Sequence, residues 1–281
     1  GCLIKMDPKE LPVVEHLEEL RKRLIICAVF FVIALVVGFY LAEPIIRFIQ
    51  LDNKEFENIT LNAFKPGDPL KVYLEVTFVI ALIFTSPVIL YQLWAFVAPG
   101  LYETERKATL KYIPYSFVLF MVGLLFSYFI IFPNIMRFMM NLSEKLDIQQ
   151  TIGISEYFSF LFKLVIPFGF IFQLPVITLF LSRIGILSPE LMVKFRKYSY
   201  FVLFVIAVLI APPDIISYIL LSIPLFVLYE ISIFIAKFGY RKYMIAEEQR
   251  MREEKEEEQK MQVEEALAEQ RRQMEPMNER N

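Results

Sequence analysis

Six stretches of the chain, at about 24–40, 74–97, 108–132, 157–182, 197–211 and 215–236, run almost without charge, and charged residues crowd the segments between them. A bilayer core about 30 Å thick takes roughly 17–25 apolar residues in a helix rising about 1.5 Å per residue. The pattern therefore predicts six membrane-spanning helices. The fifth, closed by Pro212 and Pro213, is short and leads into the sixth as a hairpin with almost no loop. Pro87, Pro114, Pro167, Pro175 and Pro224 lie within or at the ends of these runs. Each lacks an N–H, which predicts kinked helices whose freed carbonyls are satisfied by neighbours, in a curved, cupped bundle.

Ahead of the first run, Val13, Leu17, Leu20 and Leu24 recur at helical spacing, while Glu15, Glu18, Glu19, Lys22 and Arg23 face away from that stripe. This predicts an amphipathic helix over about 12–23 that continues into the first span. Glu18 precedes Lys22, and Glu19 precedes Arg23, by one helical turn, an order that supports the helix with ion pairs.

The placement of Lys and Arg sets the orientation. Arg21, Lys22 and Arg23 precede span one; Arg106 and Lys107 lie between spans two and three; Arg183, Lys194, Arg196 and Lys197 lie between four and five; Lys237, Arg241 and Lys242 follow six. With six spans all of these fall on one side. The opposite loops carry Arg47, Lys54 and Lys65 diluted by Glu43, Asp52, Glu55, Glu57 and Asp68. Both termini are expected in the cytoplasm.

Composition narrows the class. Of 281 residues, 57% are hydrophobic and 15% aromatic, and the mean hydropathy of +0.51 does not suit a chain with a watery surface. The net charge of −2 points to no nucleic-acid partner. Cys2 and Cys27 show no paired spacing and stand beside a single histidine, His16, so neither a disulfide framework nor a metal site is expected. About twenty charged and amphipathic residues precede the first span, so no cleavable signal peptide is expected. No nucleophile motif or phosphate loop occurs, so neither a cofactor nor an enzymatic activity is expected.

The candidate chemistry is therefore polar groups at the membrane. In the loop 98–107, Pro99-Gly100 marks a turn and Glu103 and Glu105 open the next helix, where carboxylates ordinarily meet the helix dipole. Within the spans, Lys163 and Glu230 lie about two turns from span ends and can snorkel. Gln173 is nearer the middle, where an amide seeks a partner helix or a cavity. Asp214 stands at the tip of the last hairpin, where capping the sixth span is its simplest role.

Taken together, the chain resembles the TatC family, the multispanning receptor subunit of the twin-arginine protein translocase. The resemblance rests on Glu15-His-Leu-Glu-Glu-Leu-Arg-Lys-Arg-Leu24, Ser86-Pro-Val-Ile-Leu-Tyr-Gln-Leu-Trp-Ala-Phe96, Pro99-Gly-Leu-Tyr-Glu-Thr-Glu-Arg-Lys107, Phe168-Gly-Phe-Ile-Phe-Gln-Leu-Pro175, Ala211-Pro-Pro-Asp214 and Leu228-Tyr-Glu-Ile231. It spans Val14 to about Arg241. It implies an all-α integral protein of the bacterial cytoplasmic membrane that receives signal peptides bearing consecutive arginines, for export of folded cargo driven by the proton-motive force. The family's recognition carboxylates correspond to Glu19 and Glu105, with Arg21, Phe96, Pro99 and Tyr102 on the same cytoplasmic surface. Gln173 and Asp214 are carried over as intramembrane polar contacts to a partner or to the signal; many relatives have glutamate at the position of Gln173. The resemblance also implies single-span TatA-type and TatB-type partners and allows a homo-oligomer. Lys163 matches no family motif.

The expected organisation is a six-span membrane domain over 1–240, and a charged tail over 241–281 that is partly helical or disordered. A reading from another class is a small-solute secondary transporter, with Lys163, Gln173 and Glu230 as its intramembrane polar site.

Overall fold

The computed structural model describes residues 13–52, 61–97, 110–148 and 151–278. The amphipathic segment and the first span form one continuous 40-residue helix, α1 (Val13–Asp52), about 60 Å long. Helix α2 (Asp68–Val97) follows. Asp68 organises its start: the buried carboxylate accepts the backbone N–H groups of Phe64 at 3.0 Å and Lys65 at 2.9 Å.

The third run is a composite. Helix α3 (Tyr112–Phe126) passes through a π-helical turn at Ser127–Ile131 into α4 (Phe132–Lys145). Pro133 explains the turn, because it has no N–H to return to Phe129 and its ring crowds that carbonyl. The ladder widens by one residue, and Phe132 N–H bonds to the Ser127 carbonyl five residues back.

The fourth run, expected as one helix, is two: α5 (Ile154–Ile171) and α6 (Leu174–Arg183). Pro175 cannot bond to the Ile171 carbonyl, and the backbone tightens ahead of it, Gln173 N–H reaching Phe170 O at 3.0 Å. Helix α6 ends on Gly185, whose φ of 78° is left-handed. Ile186 N–H closes back to Leu181 O at 3.0 Å, the six-to-one bond of a glycine-terminated helix.

A short α7 (Pro189–Lys194), capped by Ser188, leads to α8 (Arg196–Ile210). Helix α9 then runs for 64 residues, Ile215–Asn278, carrying the charged segment beyond 241 as an unbroken continuation. Asp214 caps it, accepting Ser217 N–H at 2.7 Å.

Among the described residues five helical stretches are long and apolar enough to cross a membrane: Leu17–Gln50, Asp68–Phe96, Tyr112–Lys145, Ile154–Arg183 and Ile215–Leu267. Helix α8, at 15 residues, rises only about 22 Å. The fold is helical as expected, with one small parallel bridge added. Leu61–Asn62 (β1) and Ile152–Gly153 (β2) pair in parallel, Leu61 opposite Ile152, tying the segment before α2 to the one before α5.

Close packing holds the helices where lipid supplies no hydrophobic drive between them. A Cβ on Gly38 would lie 2.7 Å from the Thr77 carbonyl of α2, and Tyr73 Oη donates to Phe39 O at 2.5 Å. Gly123 of α3 and Gly169 of α5 allow a similar approach, with Phe120 and Phe168 buried at the crossing. Between α6 and α9 small residues meet, Thr178 against Ser232 and Ser182 against Gly239, with Ala236 of α9 fully buried. Most large apolar side chains of α1, from Leu24 to Phe48, stay exposed, the surface that a bilayer covers.

Candidate functional site

The charged end of α1 meets the end of α2 through one arginine. Arg23 Nε donates to Glu19 Oε1 at 3.1 Å and Nη2 to the same oxygen at 2.5 Å. Its Nη1 donates to the side-chain carbonyl of Gln92 on α2 at 3.0 Å. One guanidinium thus uses three N–H groups to join a carboxylate and an amide on two helices. The helical periodicity puts Glu19 and Arg23 one turn apart on a shared face, and the packing of α1 on α2 brings Gln92 to that face.

The pair is half-buried, with 32% of the Glu19 side chain and 22% of the Arg23 side chain exposed. Its neighbour, Glu18 with Lys22, is open to solvent at 3.4 Å, with 53% and 68% exposed. An open pair of this kind contributes roughly 0.3–0.5 kcal/mol. The Glu19 pair excludes more water and has a third anchor, so its guanidinium geometry is held much more firmly. Phe96, half-buried, lies one turn beyond Gln92 on α2, and Arg21 is exposed beside the pair.

An apolar groove of about 200 Å³ opens between α2, α3 and α6, lined by Leu90, Leu93, Trp94, Tyr112, Ile113 and Phe180 among others. Two of these residues, Leu93 and Trp94, directly follow Gln92 in the chain. Arg183 donates to the hydroxyl of Tyr112 at 3.4 Å, which sets a cation at the groove's edge. Ser116 lines the groove too, with Gln173 behind it.

Gln173 is buried at the break between α5 and α6. Its Nε2 donates to Ser116 O at 3.1 Å and reaches Gly169 O at 3.4 Å, while its Oε1 accepts the Ser116 hydroxyl. Asp214 caps α9 with one carboxylate oxygen. Glu105, Pro99 and Tyr102 lie outside the described residues. The contribution of Gln92 was not foreseen from the sequence, where it stands only within the motif Ser86–Phe96. The one available signal was an amide in an otherwise apolar run, four residues before Phe96.

The polar residues of the transporter reading do not converge. Gln173 is engaged with Ser116, and Lys163 is exposed on α5. Glu230 belongs to a separate cluster: Arg196 Nη2 donates to its Oε2 at 3.0 Å, Arg196 Nε lies 2.9 Å from Oε1, and Tyr200 Oη donates to Oε1. Among the described residues no three His, Cys, Asp or Glu side chains gather to hold a metal.

The chain as a whole is similar to known proteins. The model of the family Sec-independent protein translocase protein (TatC) matches residues 15–224. TatCy of Bacillus subtilis (strain 168) is 53% identical over 240 residues, covering 85% of this chain and 94% of the relative. TatC of Escherichia coli (strain K12) is 36% identical over 229 residues, covering 81% and 88%. A crystal structure of the twin-arginine translocase receptor TatC matches with a TM-score of 0.72 at 38% identity, covering 80% of this chain and 99% of that one.

Proposed function

Because the chain belongs to the TatC family of Sec-independent protein translocase components, we propose that it binds the consecutive arginines of export signal peptides at Glu19 and Glu105. The observation that carries this reading is the state of Glu19, a half-buried carboxylate already shaped around a guanidinium, with Arg23 N–H groups at 2.5 and 3.1 Å. A carboxylate that holds one planar fork suits another, and a lysine ammonium, a compact point charge, reproduces fewer of those contacts. Glu105 supplies the second carboxylate, with Arg21, Phe96, Pro99 and Tyr102 completing the surface.

The apolar part of the signal lies in the groove between α2, α3 and α6, where Leu90, Leu93, Trp94 and Phe180 offer it a dry wall. The bundle crosses the bacterial cytoplasmic membrane six times with both termini inside. Helix α8 crosses by local thinning of the bilayer and burial against α9. Arg21, Lys22 and Arg23 ahead of the apolar part of α1, Arg183 at the end of α6, and Lys237, Arg241 and Lys242 following the apolar part of α9 support that orientation. TatA-type and TatB-type single-span partners dock in the membrane, with Asp214 on a surface they meet and Gln173 acting on the groove from behind, through Ser116, and the proton-motive force drives transport. The chain acts as a receptor and assembly platform.

The test is binding of a fluorescent signal peptide to the detergent-purified protein, comparing Arg-Arg with Lys-Lys forms and wild type with Glu19→Gln, Glu105→Gln. Selective binding of the Arg-Arg form, lost on double substitution, is the expected result. Equal binding of both peptides by both proteins refutes the assignment.

A further inference from the structure

We propose that Arg23 is a built-in competitor of the signal arginine, occupying Glu19 in the empty receptor and holding its affinity below what the carboxylate alone would give. This rests on the Glu19 reading above and adds a regulatory contact to it. Two Arg23 N–H groups converge on a single oxygen of Glu19. A guanidinium arriving from outside finds that oxygen already taken by the same chemical group. Nor is Arg23 stranded once displaced, because Nη1 keeps a second acceptor, the Gln92 carbonyl at 3.0 Å on the neighbouring helix. The side chain can therefore let go of Glu19 and remain anchored on α2.

The thermodynamic consequence is specific. Any ligand that takes Glu19 must first break the internal pair, so its apparent affinity is the intrinsic affinity divided by one plus the pairing constant. The empty state is common to all ligands. Releasing it raises the affinity of Arg-Arg and Lys-Lys signals by the same factor and leaves their ratio unchanged. The pair thus sets a threshold, whereas selectivity resides in the contacts of the bound state. A weakly held signal also leaves readily, which a receptor that must hand its cargo onward requires.

The neighbouring pair offers a control for charge. Lys22 is bound to Glu18, is more exposed than Arg23 and is not bonded to Glu19. Lys22→Gln removes one positive charge from the same helical turn without vacating the Glu19 site.

The experiment measures signal-peptide affinity by fluorescence anisotropy on the detergent-purified full chain. Wild type, Arg23→Gln, Arg23→Lys, Lys22→Gln and Glu19→Gln are each titrated with Arg-Arg and Lys-Lys peptides. Arg23→Gln is expected to tighten both peptides by about three- to tenfold with their ratio preserved. Arg23→Lys, which keeps the charge and loses the fork, is expected to tighten both by a smaller factor, and it carries the test if Arg23→Gln does not fold. Lys22→Gln is expected to change binding by less than either. Weaker binding of both peptides by the Arg23 variants overturns the proposal, since Arg23 would then be propping Glu19 in place. Equal effects of Lys22→Gln and Arg23→Gln overturn it in favour of simple charge repulsion. If Glu19→Gln leaves Arg-Arg binding untouched, the Glu19 reading itself falls; if Glu19→Gln abolishes binding while Arg23→Gln changes nothing, only the competitor falls.

Discussion

Ser116 and Gln173 are tied in both directions: the serine hydroxyl donates to the glutamine side-chain carbonyl, and Gln173 Nε2 donates to the Ser116 backbone carbonyl at 3.1 Å. The bond spans α3 and the break between α5 and α6, where the backbone has lost a helical hydrogen bond to Pro175. Gln173→Leu should therefore destabilise the fold by about 1 kcal/mol, near the upper range for a hydrogen bond between membrane helices. Ser116→Ala should cost a comparable amount. Thermal unfolding in detergent measures both, and the double substitution should cost less than their sum because the two share one contact.

Three glycines predict contrasting outcomes. A Cβ at Gly123 would meet the Phe168 carbonyl at 2.7 Å and the Phe172 side chain at 2.9 Å, whereas at Gly67 it would meet nothing within 4 Å. Gly123→Ala should cost about 1–3 kcal/mol by forcing α3 and α5 apart. Gly67→Ala should be neutral or slightly stabilising, by up to about 1 kcal/mol. Gly185→Ala should destabilise as well, since its φ is 78° and Tyr243 already lies 2.5 Å from the added carbon. Melting temperatures of the three variants rank them directly.

The Arg196 and Glu230 pair joins the 15-residue α8 to α9. Both side chains are 42% exposed, so solvent screening limits the pair to about 1 kcal/mol. Arg196→Leu should loosen α8 against α9, visible as faster hydrogen exchange across Arg196–Ile210. Arg196→Lys should recover only part of the protection, because the ammonium lacks the planar fork that matches the two oxygens of Glu230.

Asp214→Ala should cost about 0.5–2 kcal/mol by leaving the Ser217 N–H without its acceptor, and Asp214→Asn should restore most of it. A cap is satisfied by either side chain, so this substitution pair separates capping from any role needing the charge. In an export assay, loss with Asn and Ala alike, at unchanged protein level, would assign Asp214 a charged contact beyond the cap.

In cells, Glu19→Gln with Glu105→Gln should lower export of an Arg-Arg reporter at least about tenfold, each lost charge-assisted contact weakening binding by that order. Membrane insertion of the receptor should be unchanged, as read by its abundance in the membrane fraction.

The one-dimensional pattern was enough to locate the apolar helices, because a bilayer demands long uncharged runs and the backbone must satisfy itself within each run. Pairs local in the chain were legible too: Glu18 with Lys22, Glu19 with Arg23, and Asp214 with the turn after it all follow from helical spacing and capping chemistry. The proline count predicted disturbed helices, but not which disturbance each would make. Pro175, one of the prolines singled out, divides its helix in two, and Pro133, which was not, widens its helix by one residue. The roles of Gln92 and Ser116 and the β1–β2 pair were out of reach of the local pattern. Their partners lie 69, 57 and about ninety positions away in the chain, so no local periodicity encodes them. Whether Glu19 stands open or holds a guanidinium from its own helix, anchored by the next, was decided by the packing of α1 on α2.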